Sequence, residues 1–561
     1  MIRKTKKACA LLLVLSMLAA GCSSGNGTSS LNTVNSENSS ATTTDSPQNT
    51  GDDIPETPEE LTLPITTEDI TLTMWAELGK AAGAVKTLND NLAYQEMQER
   101  TGIKLEFQHP PVGSEKEQFN LLVASRNLPD LIQYAWLNVP GGPGAYISDK
   151  VIIPLNEPMA KWAPNLTSYL QENDVVRKQM EMDDGTYYVF PAVYGDRELA
   201  VSNGPTIRYD WFQKLGMEEL PTTIDDWTEL LRKVRTTDLN GNGAGDIQGI
   251  FIQAKEELDT NPFLIGAWGI RQEFYNDNGT VKFGGIQPEY KEFLTVLNSW
   301  YKEGLLDPES LAGTAKIKDT KLTSDKLFAY IGGMGNGITR YTAMMQPSNP
   351  DFKLMPVPYP VLNEGDTPKE GQESYTYNSG GVAITTACEH VKEAVKFLDY
   401  AYSEEGHILT NWGVEGITYE KNDDGTLKYT DLILSNPDGL SREQAMAKYT
   451  TWQSTSAVVK MKDVLNQRDS LPEQIEGRKQ WMACTNEALL PPLTPTIEES
   501  EEYASIMNEV RTYTTEMFNQ FVSGQTSLDE FDNYVQTLKG MGIDRATELT
   551  QQQFDRYSSR P

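Results

Sequence analysis

Apolar and polar residues alternate along Ile70-Thr71-Leu72-Thr73-Met74-Trp75, the period-two pattern of a strand with one buried face. Asn89 to Thr101 follows with helical spacing, Ile103 to Gln108 alternates again, and Glu117 to Ala124 is helical. Leu128-Pro129-Asp130-Leu131-Ile132 reads as a loop turning into a third strand. Strands separated by single helices predict parallel βαβ units, and so an α/β fold. Ile153 to Leu170 predicts a turn and an amphipathic helix, and Tyr187 to Pro191 a short strand. The pattern then restarts. Thr223 is placed as a helix cap, with Asp225 and Asp226 in the first turn and apolar periodicity through Val234. Ser379 to Ile384 predicts another strand, Glu389 to Trp412 one long helical stretch, and the C-terminal region more helix.

The N-terminus has a different pattern. Arg3, Lys4, Lys6 and Lys7 precede an apolar run from Ala8 to Met17, then Leu18-Ala19-Ala20-Gly21-Cys22. A transmembrane helix needs ~20 apolar residues, so this run suits the core of a signal peptide. Small residues directly before a cysteine resemble the lipobox of bacterial lipoproteins, with Ala19 where leucine is more usual. The expectation is cleavage of residues 1–21 and a lipid on Cys22, tethering the chain to the outer face of the cell membrane. The competing reading is an ordinary signal peptide with an incidental cysteine. Ser23 to about Pro58 is rich in Ser, Thr, Asn, Gly and Asp. It buries too little apolar surface to offset its ordering entropy, so 22–64 is expected to be a tether.

Composition narrows the partners. The formal charge is −32, and about −36 once the four basic residues of the signal are gone. That opposes nucleic acid, whose phosphates need basic patches. Beyond Cys9 and Cys22 only Cys388 and Cys484 remain, which is no disulfide framework. His109, His390 and His407 are too scattered for a histidine-built zinc site. No HExxH helix or P-loop occurs, and a chain this acidic offers carboxylate pairs by chance.

Several segments, in order, resemble the extracellular solute-binding proteins of bacterial ABC importers, in the large Gram-positive branch related to oligosaccharide and alginate binders. They are Leu122-Val123-Ala124-Ser125 with Leu128-Pro129-Asp130, Ile153-Pro154-Leu155-Asn156 with Ala163-Pro164-Asn165, and Asp184-Gly185-Thr186-Tyr187-Tyr188 with Phe190-Pro191. Ile207-Arg208-Tyr209-Asp210-Trp211 with Leu215-Gly216 and Pro221-Thr222-Thr223, and Trp412-Gly413-Val414-Glu415-Gly416, complete the set. The resemblance implies a two-lobed, periplasmic-binding-protein-like fold with a multi-strand hinge and discontinuous lobes. Lobe 1 would be 65–192 and 360–420, and lobe 2 would be 193–359 and 421–561. The chain would cross between lobes near Pro191–Glu198, near Val357–Pro360 and after about Thr418. The implied protein is a monomeric binder rather than an enzyme. It would take an oligosaccharide into the cleft and pass it to membrane permease subunits. The alternatives are an extracellular glycan-degrading enzyme, or the same fold with a peptide or polyanion as ligand.

One loop has metal-site spacing. Asp238, Asn240, Asn242 and Asp246 put side-chain oxygens at positions one, three, five and nine of a calcium loop. Gly243 stands at six, and the Ala244 carbonyl is a further ligand. Position twelve is Gly249, not the bidentate glutamate of an EF-hand. A structural calcium is expected; the alternative is a turn held by Asx hydrogen bonds alone.

Sugar binders use aromatic faces and planar polar groups at strand ends. Trp75 ends the first strand and is a candidate, against the competing reading of a packed core tryptophan. Trp136 precedes the glycine-rich run Pro140 to Gly144. Arg208 and Asp210 lie past the first expected crossing and either meet ligand or pair with one another. Gly333, Asn336 and Gly337 mark a flexible second-lobe loop. Tyr375 and Tyr377 precede a first-lobe strand. Trp412 and Glu415 lie in the family turn, where Glu415 either meets ligand or caps the turn.

Overall fold

In the computed structural model, residues 57–243, 245–253, 257–258, 260–469 and 471–561 are described. Cys22 and the expected signal and most of the tether lie outside them, as does Ala244. No helix among them is long and apolar enough to cross a membrane.

The expected strands Ile70–Ala76 and Ile103–Gln108 form and pair in parallel, Ile70 opposite Ile103. Leu131–Tyr134 pairs with the other side of Ile70–Ala76, also in parallel. Tyr377–Ile384 then runs antiparallel to Leu131–Tyr134, followed outward by Phe190–Tyr194 and Val458–Lys460. These six strands form the sheet of the first lobe. Tyr377–Ile384 alone runs against the others, so the remaining five share one direction and end on the same edge. The second lobe holds a four-stranded sheet, ordered Leu354–Pro356, Asn203–Arg208, Leu327–Gly333, Gln248–Phe251. Leu327–Gly333 is buried along nearly its whole length, as a central strand covered on both faces must be.

Each sheet has its own core. Leu72, Ile132, Trp136, Phe190 and Ile384 belong to the first; Ile207, Trp227, Phe328, Trp481 and Phe521 belong to the second. Capping fixed the helix at Thr223 as the sequence predicts: Thr223 Oγ1 accepts from Asp226 N–H at 3.0 Å, and Asp226 Oδ2 accepts from Thr223 N–H at 2.9 Å.

Several expectations shift, among them the helix within Ile153 to Leu170, which is two, Asn156–Trp162 and Pro164–Glu172, broken at Pro164. Tyr187 is held outside the sheet, because its N–H donates to Asn156 Oδ1 and its carbonyl accepts from Leu155 N–H; the strand starts at Phe190. Glu389 to Trp412 is two helices, Val391–Tyr400 and Glu404–Trp412. Ser403 caps the second, and Gly406 packs so closely that a Cβ there would lie 1.7 Å from Tyr400 O. A further change concerns the crossing expected after Thr418. Trp412, Tyr419, Tyr429, Ile433, Met446 and Trp452 close a small core of their own, and Val458–Lys460 then joins the first sheet. The chain passes to the second lobe only between Lys460 and Pro472.

Candidate functional site

Two crossings lie where the sheets hand over, between Tyr194 and Asn203 and between Pro356 and Tyr377. Gln372 fastens them: its Oε1 accepts from Ser202 and Asn203 N–H, and its Nε2 donates to Ala200 O at 3.1 Å. The Tyr359 hydroxyl accepts from Gln372 N–H and lies 3.1 Å from Asn203 O. At the third crossing the buried Asp469 carboxylate bridges Arg468 and Arg478.

The carboxyl ends of the parallel first-lobe strands open beside these crossings, where ligands of open α/β sheets bind. Ala76, Tyr194 and Lys460 end three of them. Across the opening Asn203 begins one second-lobe strand and Gly333 ends another. Two adjoining cavities fill the cleft and share Lys80, Ser202 and Arg468. One, of about 440 Å³, reaches the second lobe at Asn203, Asn261, Tyr330 and Asn336. The other, of about 220 Å³, lies against Tyr194, Trp452 and Lys460. Its aromatic surfaces beside polar groups are the surface a carbohydrate needs.

Electrostatics differ between the walls. Lys318 pairs with Glu257 at 2.6 Å and Arg340 with Asp319 at 2.9 Å, so the second-lobe cations are neutralised. Burial alone would raise the Asp319 carboxyl, but hydrogen bonds from Tyr341 and Arg340 outweigh it and hold it below its ordinary range. On the first-lobe wall, burial, reinforced by Lys80 and Arg468, pushes the Lys460 ammonium down to about 7.

Of the residues singled out from sequence, Asn336 lines the cleft, in the glycine-rich turn; a Cβ at Gly333 would lie 2.0 Å from Asn336 Oδ1. Arg208 is fully buried and gives Nε and Nη2 to Asp210 at 2.9 and 2.8 Å and Nη1 to Asp325 at 2.6 Å. Its guanidinium stacks on Trp211 and Phe352, so Arg208 and Asp210 are a structural pair, not a ligand clamp. Trp136 is buried, its indole N–H spent on Ile132 O. Tyr377 is buried against Tyr188. Trp412 fills the small third core against Tyr419 and Tyr429. Trp75 is 5% exposed and packs on Phe119 and Tyr134, the core reading of that residue. Glu415 is exposed on its turn and lines neither cavity. Sequence reasoning passed over Tyr194, Trp452 and Lys460. The available signal was the aromatic three residues past the Phe190-Pro191 element, and Thr-Thr-Trp-Gln ahead of a short strand.

In the 238–246 loop Asp238 accepts from the N–H groups of Gly241, Asn242 and Gly243. Asn240 and Asn242 amides converge on Asp246 at 3.2 Å, and Lys326 lies 3.7 Å from the same carboxylate. Among the described residues no three His, Cys, Asp or Glu side chains gather as a metal site. The loop supplies two carboxylates and two amides, whose oxygens turn inward if the amides rotate. Cys388 and Cys484 are buried free thiols.

A two-lobed α/β body with a cleft at its chain crossings defines a ligand-binding protein. The chain belongs to the bacterial extracellular solute-binding protein family, whose model matches residues 84–408. It is 24% identical over 499 residues to the fructooligosaccharide ABC transporter substrate-binding protein FusA of Streptococcus pneumoniae serotype 4, covering 84% of this chain and 88% of FusA. Lipoprotein LipO of Bacillus subtilis is 24% identical over 471 residues, 80% of this chain and 85% of LipO. The alginate-binding protein AlgQ2, solved without calcium ion, shares the fold with a TM-score of 0.68 at 23% identity, across 88% of this chain and 99% of AlgQ2.

Proposed function

We propose that this protein is the lipid-anchored substrate-binding component of an ABC importer, taking an oligosaccharide into the interlobe cleft and presenting it to a membrane permease. The observation that carries the reading is the cleft itself: Tyr194 and Trp452 on one wall, Asn203, Asn261 and Asn336 toward the other, beside three chain crossings. Ligand touching both walls favours the closed state by its differential affinity, and closure is what a permease reads. The carbohydrate named for FusA supports the ligand class. Cys22 provides the anchor, and the 238–246 loop holds a structural calcium through Asp238, Asn240, Asn242, Ala244 and Asp246. Calorimetric titration with an oligosaccharide panel tests the reading, with product analysis on the same samples. Binding without turnover, weakened at least about 10-fold in Trp452→Ala, is expected, since an aromatic contact is worth about 1.5 kcal/mol or more. Absence of binding to every oligosaccharide, or release of cleaved product, overturns it.

A further inference from the structure

Lys460 is 5% exposed at the end of the first sheet's edge strand. Its ammonium lies 4.9 Å from the Tyr194 ring centroid and 5.5 Å from that of Trp452. Among the described residues it has no carboxylate partner. The charged groups around it come from each neighbouring element. Lys80 and Glu77 follow the first strand, and Arg468 ends the helix Lys462–Arg468. Lys80 reaches Glu443 at 3.4 Å, and Arg468 is bound in two places to Asp469. Glu77 is the one acid among the residues lining this cavity, and burial beside Glu115 pushes its carboxyl up, toward the neutral form. Three cations thus face one cavity of about 220 Å³, and the most buried of them is unpaired. A buried charge without a partner is costly, and an anion entering the cavity supplies the missing half.

We propose that this cavity is an anionic subsite, in which Lys460, aided by Lys80 and Arg468, receives the carboxylate of an acidic sugar whose ring is flanked by Tyr194 and Trp452. The inference rests on the reading that the cleft binds oligosaccharide. It assigns that ligand to the uronate class, despite a chain whose net charge is −32. The local field, not the total, governs recognition at this site. Arg468 keeps Asp469 and adds its charge to the cavity it lines; Lys80 needs only to exchange Glu443 for ligand.

The test titrates the purified protein with oligouronates of several linkages, each beside its partner with carboxyls reduced to alcohols. Oligouronate is expected to bind at least about 10-fold tighter than its reduced partner, the worth of a charge-assisted hydrogen bond. Lys460→Met should erase that preference while binding of the neutral partner persists. Uronate affinity should fall from pH 6 to pH 9 in the native protein as Lys460 loses its proton, and Lys460→Arg, charged throughout, should flatten that profile. Reduced oligosaccharides binding as well as uronates, or Lys460→Met keeping the preference, overturns the subsite and leaves the oligosaccharide reading standing. No binding by any carbohydrate of the panel removes the oligosaccharide reading and the subsite with it.

Discussion

Lys460→Met changes stability in a way whose sign and pH window follow from the burial of this ammonium. The group titrates near its ordinary 10.5 in the unfolded chain and at about 7 in the folded protein. Between those values the unfolded state binds the proton and the folded state does not, so this residue makes stability rise with pH across that window. Below about pH 7 both states are charged and the full penalty is present; above about 10.5 both are neutral and it is gone. At 1.36 kcal/mol per unit the shift corresponds to an upper bound of about 5 kcal/mol. The cation–π contacts with Tyr194 and Trp452, ~0.5–2 kcal/mol each, are already contained in that balance. Methionine fills a similar volume without charge. The variant should therefore be more stable than the native protein by roughly 2–5 kcal/mol at pH 7, the gap narrowing by up to ~1.4 kcal/mol per pH unit toward pH 10. Urea unfolding of both proteins at pH 6, 7, 8, 9 and 10 measures it. A gap that does not change with pH, or a variant less stable at every pH, refutes the reasoning.

Arg208→Met should destabilise the protein by ~3–5 kcal/mol, because Asp210 is left buried and unpaired, while ligand affinity of the folded fraction stays unchanged; urea unfolding beside titration separates the two. Calcium should raise the melting temperature and EGTA lower it, most clearly at low ionic strength where salt screens the loop carboxylates least; a melting curve indifferent to both removes the metal from the 238–246 loop. Cys22→Ser should be secreted or left as the uncleaved precursor, and Cys22→Ser protein of mature length sedimenting with membranes would end the lipoprotein reading.

The elements were legible because they answer to local rules. Alternation marks Ile70–Ala76, the Thr223–Asp226 capping box marks a helix start, and both appear where the pattern predicts. The cleft wall was not legible, because it is assembled by topology. Lys80, Tyr194, Trp452, Lys460 and Arg468 meet only because the third crossing is delayed past a small extra core. Nothing local distinguishes a tryptophan that faces a cleft from one that fills a core. Trp136 and Trp412 carry the same local cues and only fill cores, whereas Trp452, itself packed in the small third core, also borders the cavity. For Arg208 the sequence leaves two alternatives, ligand or Asp210, and the pair with Asp210 forms, since a guanidinium and a carboxylate two residues apart can close on each other at a strand end.

The place of Tyr377–Ile384 has a consequence for the order of folding. It is an interior strand, hydrogen-bonded to Leu131–Tyr134 on one side and Phe190–Tyr194 on the other. Both neighbours are synthesised long before it, and the whole four-stranded sheet of the other lobe lies between. The early strands therefore wait with unpaired edges until nearly four hundred residues have been made, and such long-range pairing is slow. A chain that cannot close its first sheet early stays threadable, which would suit export through a membrane pore under the signal peptide expected at residues 1–21.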